Sequence, residues 1–523
     1  YRRMMVEDVN QSILISGESG AGKTETTKLL LFHLVSLQGC RSSPSKSGSV
    51  VKGLEQKVLL SNTILQAFGN AATVRNQNSS RYGKFVSLYF SRADSKYSLQ
   101  GCSINVFLLE RSRVAHVEKG ERNFHIFYQY QNCFPPLRSS SLHAPVGSED
   151  NERDGRSTLE STKEAMRGGG LTEEEVDNVM STVGLILSLG NILFLPVESK
   201  NSTVDRSSSS HALLAAAACL QCSCSELEET LCTRKVRLAG EEVGVDRSEE
   251  RAGEARDGMC KVIYERLFSW LVRRMNLALL SNARGCSVIN VLDIFGFESL
   301  EVNGFEQLLI NYANERLQSL FNNHMFAFEQ ETYREEGLTF SLVDFVKVED
   351  RQTGLLTLVD EEIRIPGGSD ESLMLKVRTI VASKHEKLTV PKRSSLTFVI
   401  SHYAGQVCYN GTSFVDKNRD AVGRDVLDFF SRCHFRFFRL LFHEIADVHG
   451  GGKQPVADCS RGTSKSLVAK FRKQLTSLEG IMGSTQTHFI RCINSNEKKL
   501  PDTFDDVFVL KQIRATGILQ AAK

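Results

Sequence analysis

Residues 17–24 read GESGAGKT, and Gly17, Gly22, Lys23 and Thr24 stand at the spacing of a loop that wraps phosphates. The chemistry open to such residues is nucleotide binding. Glycines let backbone N–H groups turn inward, a helix opening beyond the loop aims its positive end at the anion, Lys23 reaches the β and γ oxygens, and Thr24 is placed to hold Mg2+. Two further segments bear on what happens to the bound nucleotide. Residues 293–298 (DIFGFE) offer Asp293 to a magnesium ion's water shell and the N–H of Gly296 to a γ-phosphate, although DxxG alone also reads as a strand-ending turn. Residues 76–85 (NQNSSRYGKF) gather hydroxyls and Arg81 in a polar loop, which by itself reads equally as a surface turn.

These groups need elements to position them. Residues 11–16 (QSILIS) form a short apolar run before the first loop, and TETTKLLLFHLVSLQ follows it, with Leu29, Leu30, Phe32, His33, Val35 and Leu37 suiting a buried helix. The result is strand, loop, helix. Residues 287–292 (SVINVL) and 488–493 (HFIRCI) are short and apolar, as strands buried in a sheet are. Helical patterns cover 172–190, 260–280 and 305–334, whereas the Ser, Gly and charge content of 39–53, 138–170, 200–210 and 449–466 marks surface loops. The pattern predicts an α/β fold around one mostly parallel twisted sheet with large helical insertions.

Composition narrows the function. The 523 residues carry 64 Lys plus Arg against 62 Asp plus Glu, a net charge of +2, which argues against a general nucleic-acid binder. The length corresponds to about three or four domains, or one large core with subdomains. No apolar run approaches the roughly 20 residues that span a bilayer, and the opening YRRMMVEDVNQ has no signal-peptide segment; the chain reads as soluble and unsecreted. Thirteen cysteines are too sparse for a disulfide scaffold, and Cys222 with Cys224 lack the second pair that structural zinc needs.

Together the segments resemble the myosin motor domain, and the likeness extends over nearly the whole chain. GESGAGKT is similar to that family's nucleotide loop, NQNSSRYGKF to its first switch and DIFGFE to its second, in the same order. Further matching blocks are 54–76 (LEQKVLLSNTILQAFGNAATVRN), 109–129 (LERSRVAHVEKGERNFHIFYQ), 305–330 (FEQLLINYANERLQSLFNNHMFAFEQ), 402–405 (HYAG), 417–420 (KNRD) and 488–519. Kinesins share the nucleotide loop and a serine-arginine switch but lack the GERNFHIFYQ and FEQLLINYANERLQ blocks.

The resemblance implies a P-loop NTPase core and an actin-activated Mg-ATPase. Gly17, Glu18, Ser19, Gly20, Ala21, Gly22, Lys23, Thr24 and Asn76 would bind nucleotide, and Thr24 and Ser80 would ligate Mg2+ with Asp293 behind its waters. Ser79 would relay the attacking water's proton, Arg81 and Glu298 would close the switches as a salt bridge, and Gly296 would sense the γ-phosphate. Residues 305–334 would form the relay helix, and Trp270 would pack in the core. The actin filament is the implied partner, met by Glu241 on the upper loop 234–257 and by Lys453, Arg461 and Lys465 on a basic loop; light chains would be reached only through a lever outside this chain. No nucleic acid and no membrane are expected as partners, and the location implied is the cytoplasm, on the cytoskeleton.

The same likeness divides the chain into 1–52 (nucleotide loop, helix and first surface loop), 53–297 (upper region with the first switch), 298–445 (lower region with relay helix), 446–466 (basic loop) and 467–523 (returning strand and start of the thiol helix). It also implies an incomplete head of a divergent heavy chain. The sequence departs from the family at Thr63, usually Pro, at Asn494 and Ser495, usually Lys-Pro, and at Ala515, usually a reactive Cys. Residues 345–354 are about seven shorter than the family's helix-loop-helix for apolar actin contact, which leaves a nucleotide-gated actin tether as the alternative to a motor.

Overall fold

The computed structural model describes residues 1–523 apart from 40–46, 94–95, 118–119, 135–151, 198–200, 239–240, 281–284, 325–333, 338–348, 385–386, 392–395, 420–422, 443–465, 499, 517 and 519–523. At its centre lies a five-stranded sheet of β1 (Gln11–Gly17), β2 (Gly83–Ala93), β3 (Lys96–Phe107), β4 (Ser287–Asp293) and β5 (Gln486–Cys492). Their order is β5-β1-β4-β2-β3. β1 runs parallel to both β4 and β5, but β4 pairs antiparallel with β2, and β2 with β3. The sheet is therefore mixed, and the expectation of a mostly parallel one is corrected. For β2 and β3 the reason is covalent: they are joined through residues 94–95 alone, and so short a link permits only an antiparallel pair.

Adjacent residues of the strands feed opposite sides. Ile15, Val86, Ile289 and Val291 enter one hydrophobic core, while Leu14, Phe85 and Leu292 enter another. Both faces are covered, which is why SVINVL is apolar without alternation. The first core takes in α1 (Lys23–Gly39), α2 (Ser47–Gly69) and the 31-residue α3 (Glu249–Leu279). The second is built from α4 (Phe305–Asn322), α5 (Leu467–Gly483) and a three-stranded sheet of Leu388–Thr389, Thr397–His402 and Gly405–Asn410.

Several elements depart from their sequence patterns. α1 is only half buried: Leu31, Leu34 and Val35 face the core, but Leu29 and Phe32 are exposed. The stretch 138–170 contains a helix, Glu152–Gly168, whose Leu159, Thr162, Ala165 and Met166 are buried at helical spacing; its charged and glycine-rich composition concealed that stripe. The serines after residue 205 open a helix, Arg206–Leu220, because the Asp205 carboxylate accepts the Ser207 N–H at 3.0 Å as an N-cap. Helix α2 begins inside the stretch read as loop 39–53. The pattern 305–334 is helical over Phe305–Asn322, and 325–333 lie outside the described residues. Helix Glu173–Gly190, which the pattern 172–190 predicts, opens with a capping box of Thr172 and Glu175. No helix among the described residues is long and apolar enough to cross a membrane.

Candidate functional site

β1 and β4 are parallel neighbours, so their C-terminal ends meet on one edge of the sheet, the edge where open α/β sheets bind ligands. GESGAGKT leaves β1 there and DIFGFE begins at the last residue of β4. Gly17, Gly20 and Gly22 have φ of +152°, +82° and +86°, conformations that glycine adopts without penalty. Gly17 is needed for space as well, since a Cβ on it would lie 2.2 Å from the Cys492 carbonyl oxygen of β5. Glu18, Ser19, Gly20 and Ala21 form the turn, closed by the Ala21 N–H donating to the Glu18 carbonyl at 3.2 Å. Lys23 begins α1, so the helix's free N–H groups point into the loop.

The charges at this edge are buried together. The Lys23 ammonium donates to the Gly17 and Glu18 carbonyls at 2.8 and 2.7 Å; burial lowers its pKa, and Asp293 pulls the other way. Thr24 Oγ1 donates to Asp293 Oδ2 at 3.0 Å. Burial raises the Asp293 carboxyl above its ordinary range despite Lys23 nearby. Lys84, directly across the β-ladder from Asp293, donates to Asn62 Oδ1, and burial pushes it down to about 8.

The donor set can be compared with the metal it would hold. No cluster of three or more His, Cys, Asp or Glu capable of holding a metal exists among the described residues. Two hydroxyls and one carboxylate are too few and too hard for a transition-metal site, but they fit Mg2+, which keeps waters and shares its sphere with phosphates. Ser80 stands half-buried on a two-residue strand paired with Asn70. Asn76 shapes its own loop, its Oδ1 accepting the Asn78 N–H at 3.1 Å and its N–H donating to Thr73 Oγ1 at 3.1 Å.

Gly296 lies against the nucleotide loop. A Cβ there would sit 2.2 Å from the Gly17 carbonyl oxygen and 3.0 Å from the Ser19 nitrogen. Two residues on, Glu298 Oε1 accepts from Arg81 Nη1 at 2.5 Å, and its Oε2 from Nη2 at 3.3 Å. Arg81 is 1% exposed, and its Nη1 also reaches Ser79 Oγ at 3.3 Å. The polar loop 76–85 is thus no surface turn at Ser79 or Arg81. Glu298 is fixed from the other side by Asn311 of α4, which accepts its N–H at 2.9 Å and donates to its carbonyl at 2.7 Å; Asn311 also donates to the Tyr409 hydroxyl at 2.8 Å. Asn314 donates to the Phe295 carbonyl at 3.2 Å.

Sequence reasoning missed what stands behind Arg81. Its Nε donates to Glu110 Oε2 at 2.5 Å, Arg113 grips both Glu110 oxygens at 2.8 and 3.1 Å, and Glu121 Oε2 accepts from Arg113 at 2.7 Å. Burial works against the Glu110 charge, but the two guanidiniums outweigh it and hold the carboxyl at about 2. The signal was present: acids and arginines alternate in LERSR and GER within a stretch otherwise fit for burial.

Of the proposed actin-facing residues, Glu241 is exposed at the start of Glu241–Asp246, which pairs with Thr233–Leu238 as a hairpin. Lys453, Arg461 and Lys465 lie outside the described residues, as do 338–348 in the shortened region. Trp270 packs edge-on against Phe437 at 4.8 Å.

The family described as myosin head (motor domain) matches residues 1–523. Myosin-5 of Arabidopsis thaliana is 38% identical over 550 residues, covering 100% of this chain and 34% of that protein. Myosin-17 of the same plant and Protein OPAQUE1 of Zea mays are each 37% identical, again across 100% of this chain and 34% of theirs. The chain spans about a third of the length of the curated relatives it matches.

Proposed function

Because this chain belongs to the myosin head (motor domain) family, we propose that it is an actin-based motor head whose P-loop core couples Mg-ATP hydrolysis to conformational change and actin affinity. The observation that carries this reading is the buried Arg81–Glu298 pair, which ties the loop following one core to the loop anchored on α4 of the other.

Phosphoryl transfer needs a positioned water, excluded solvent and neutralised phosphate charge more than covalent participation. The glycine loop and Lys23 hold the phosphates. Thr24 and Ser80 would ligate magnesium, with Asp293 behind its waters, and the ion would supply charge neutralisation at the β and γ oxygens. Ser79, whose oxygen accepts from Arg81, keeps a second lone pair that would take the attacking water's proton while its own O–H proton passes to a γ-phosphate oxygen. The Arg81–Glu298 pair closes the site to solvent. Gly296 brings the Glu298 segment onto the loop, and Asn311 passes its position to α4, so a small shift at the phosphate becomes a displacement of a rigid helix.

The five-part division of the chain given above and the actin-facing roles of Glu241, Lys453, Arg461 and Lys465 belong to the same proposal, as does a cytoskeletal location. Phosphate release from bound Mg-ATP, followed with and without actin filaments, tests the reading. Stimulation by actin is the expected result, and no stimulation with hydrolysis intact would defeat the motor assignment.

A further inference from the structure

Arg81 has five N–H donors; besides the Nη1 contact with Ser79 Oγ, they meet two carboxylates on different edges of the guanidinium. The Nη edge faces Glu298, while Nε is taken by Glu110 at 2.5 Å. A backbone bond adds to this, the Glu110 N–H donating to the Arg81 carbonyl at 3.0 Å. The two acids therefore do not compete for the same protons.

They also belong to different bodies. Glu298 is held by Asn311 of α4 at its backbone. Glu110 is held by Arg113, which donates to Glu121 and to the Arg122 carbonyl at 3.0 Å. Arg122 in turn donates its N–H to the Ala72 carbonyl at 2.9 Å, on the stretch that leads to Ser79 and Arg81. Glu110, Arg113 and Glu121 are all buried or nearly so.

Arg81 and Arg113 supply +2, Glu110 and Glu121 supply −2, and the four sum to zero; Glu298 brings the set to −1. If Arg81 had Glu298 as its one partner, separation of the two would strand a buried guanidinium, the outcome that makes broken buried pairs so unfavourable. With Glu110 in place it does not.

Building on the gate reading above, we infer that Glu110, braced by Arg113 and Glu121, is a standing counter-charge that keeps Arg81 charged and oriented while Glu298 is away, so that the gate closes onto a prepositioned guanidinium. Glu110 is a positioning residue: it acts on the reaction through Arg81. Removing its charge leaves Arg81 free to follow Glu298 or to turn toward other acceptors, and closure then has to reorder it.

The test uses Glu110→Gln, of nearly the same shape, and Glu298→Gln, singly and together on the full chain. Single-turnover hydrolysis of Mg-ATP, Mg-ADP affinity and the thermal midpoint are measured for each. The maximal hydrolysis rate of Glu110→Gln should fall about 10- to 100-fold, the scale of one charge-assisted hydrogen bond, with Mg-ADP affinity within about twofold of wild type. In the Glu298→Gln background the same substitution should change the rate by less than about twofold, because no gate remains for Arg81 to serve. Wild-type hydrolysis by Glu298→Gln would remove the gate and this inference with it. Impaired Glu298→Gln beside a wild-type Glu110→Gln, or equal losses in both backgrounds, would overturn the inference alone.

Discussion

Reversal of the Arg81–Glu298 pair is the most searching perturbation, because its outcome depends on a third residue. Arg81 and Glu298 meet at 2.5 Å with side chains 1% and 7% exposed, so either single reversal, Arg81→Glu or Glu298→Arg, leaves a buried charge facing its like. Unpairing a buried ion pair costs about 3–5 kcal/mol, which is about 10^2- to 10^4-fold in a rate that requires the pair. For an isolated pair the double swap would return most of that loss. Here the new carboxylate at position 81 would lie against Glu110, whose Oε2 is 2.5 Å from the present Arg81 Nε, and two buried carboxylates repel. The double swap should therefore recover about one or two decades and stop short of wild type, whereas adding Glu110→Gln to it should recover more. Quenched-flow hydrolysis of Mg-ATP in a single turnover is the assay, with circular dichroism melts to establish that each variant is folded. A single reversal that hydrolyses at the wild-type rate would refute the gate, and a double swap equal to wild type would refute the part assigned to Glu110.

Gly296→Ala places a methyl group 2.2 Å from the Gly17 carbonyl, so the segment must retreat from the nucleotide loop; steady-state ATPase should drop at least about 100-fold with the thermal midpoint little changed, and normal turnover would exclude the contact from the mechanism. Asn311→Leu leaves the buried Glu298 N–H and carbonyl without their partners, a loss of about 2–5 kcal/mol in urea unfolding, together with weaker actin stimulation of phosphate release; stability unchanged would show that the bridge to α4 carries nothing. Lys84 is held near 8 in the folded chain against an ordinary 10.5, so between those values the unfolded chain binds more protons and stability rises with pH. Its burdensome charge is present in full below about pH 8, and Lys84→Met should gain up to about 3 kcal/mol at pH 7, a gain that shrinks at pH 9.5; an advantage equal at both pH values in chemical denaturation would contradict the assignment.

Much of the site was legible along the chain because its requirements are local. A loop that turns backbone N–H groups inward needs glycine at positive φ, a helix must open at Lys23, and a strand must deliver each loop, so GESGAGKT and DIFGFE carry their geometry in consecutive residues. The same holds for the apolar strand SVINVL. The likeness to the myosin motor domain, which the family comparison bears out, named the Arg81–Glu298 pairing across 217 residues, but periodicity and composition did not.

Other features were settled only when the chain closed on itself. Whether the sheet is parallel depends on which strands become neighbours, and β2 and β3 stood unread beside the polar loop that precedes them. Helix α1 read as a buried helix, yet Leu29 and Phe32 face outward because the core reaches one side of it. Glu110 lies 29 residues from Arg81, in a stretch to whose acids the sequence assigned no role, and only burial between two arginines made it an obligatory partner. The sequence by itself determined the conformations and ligand types that consecutive residues can specify; the tertiary structure decided which buried charges share a guanidinium, since that depends on low-dielectric proximity and not on spacing along the chain.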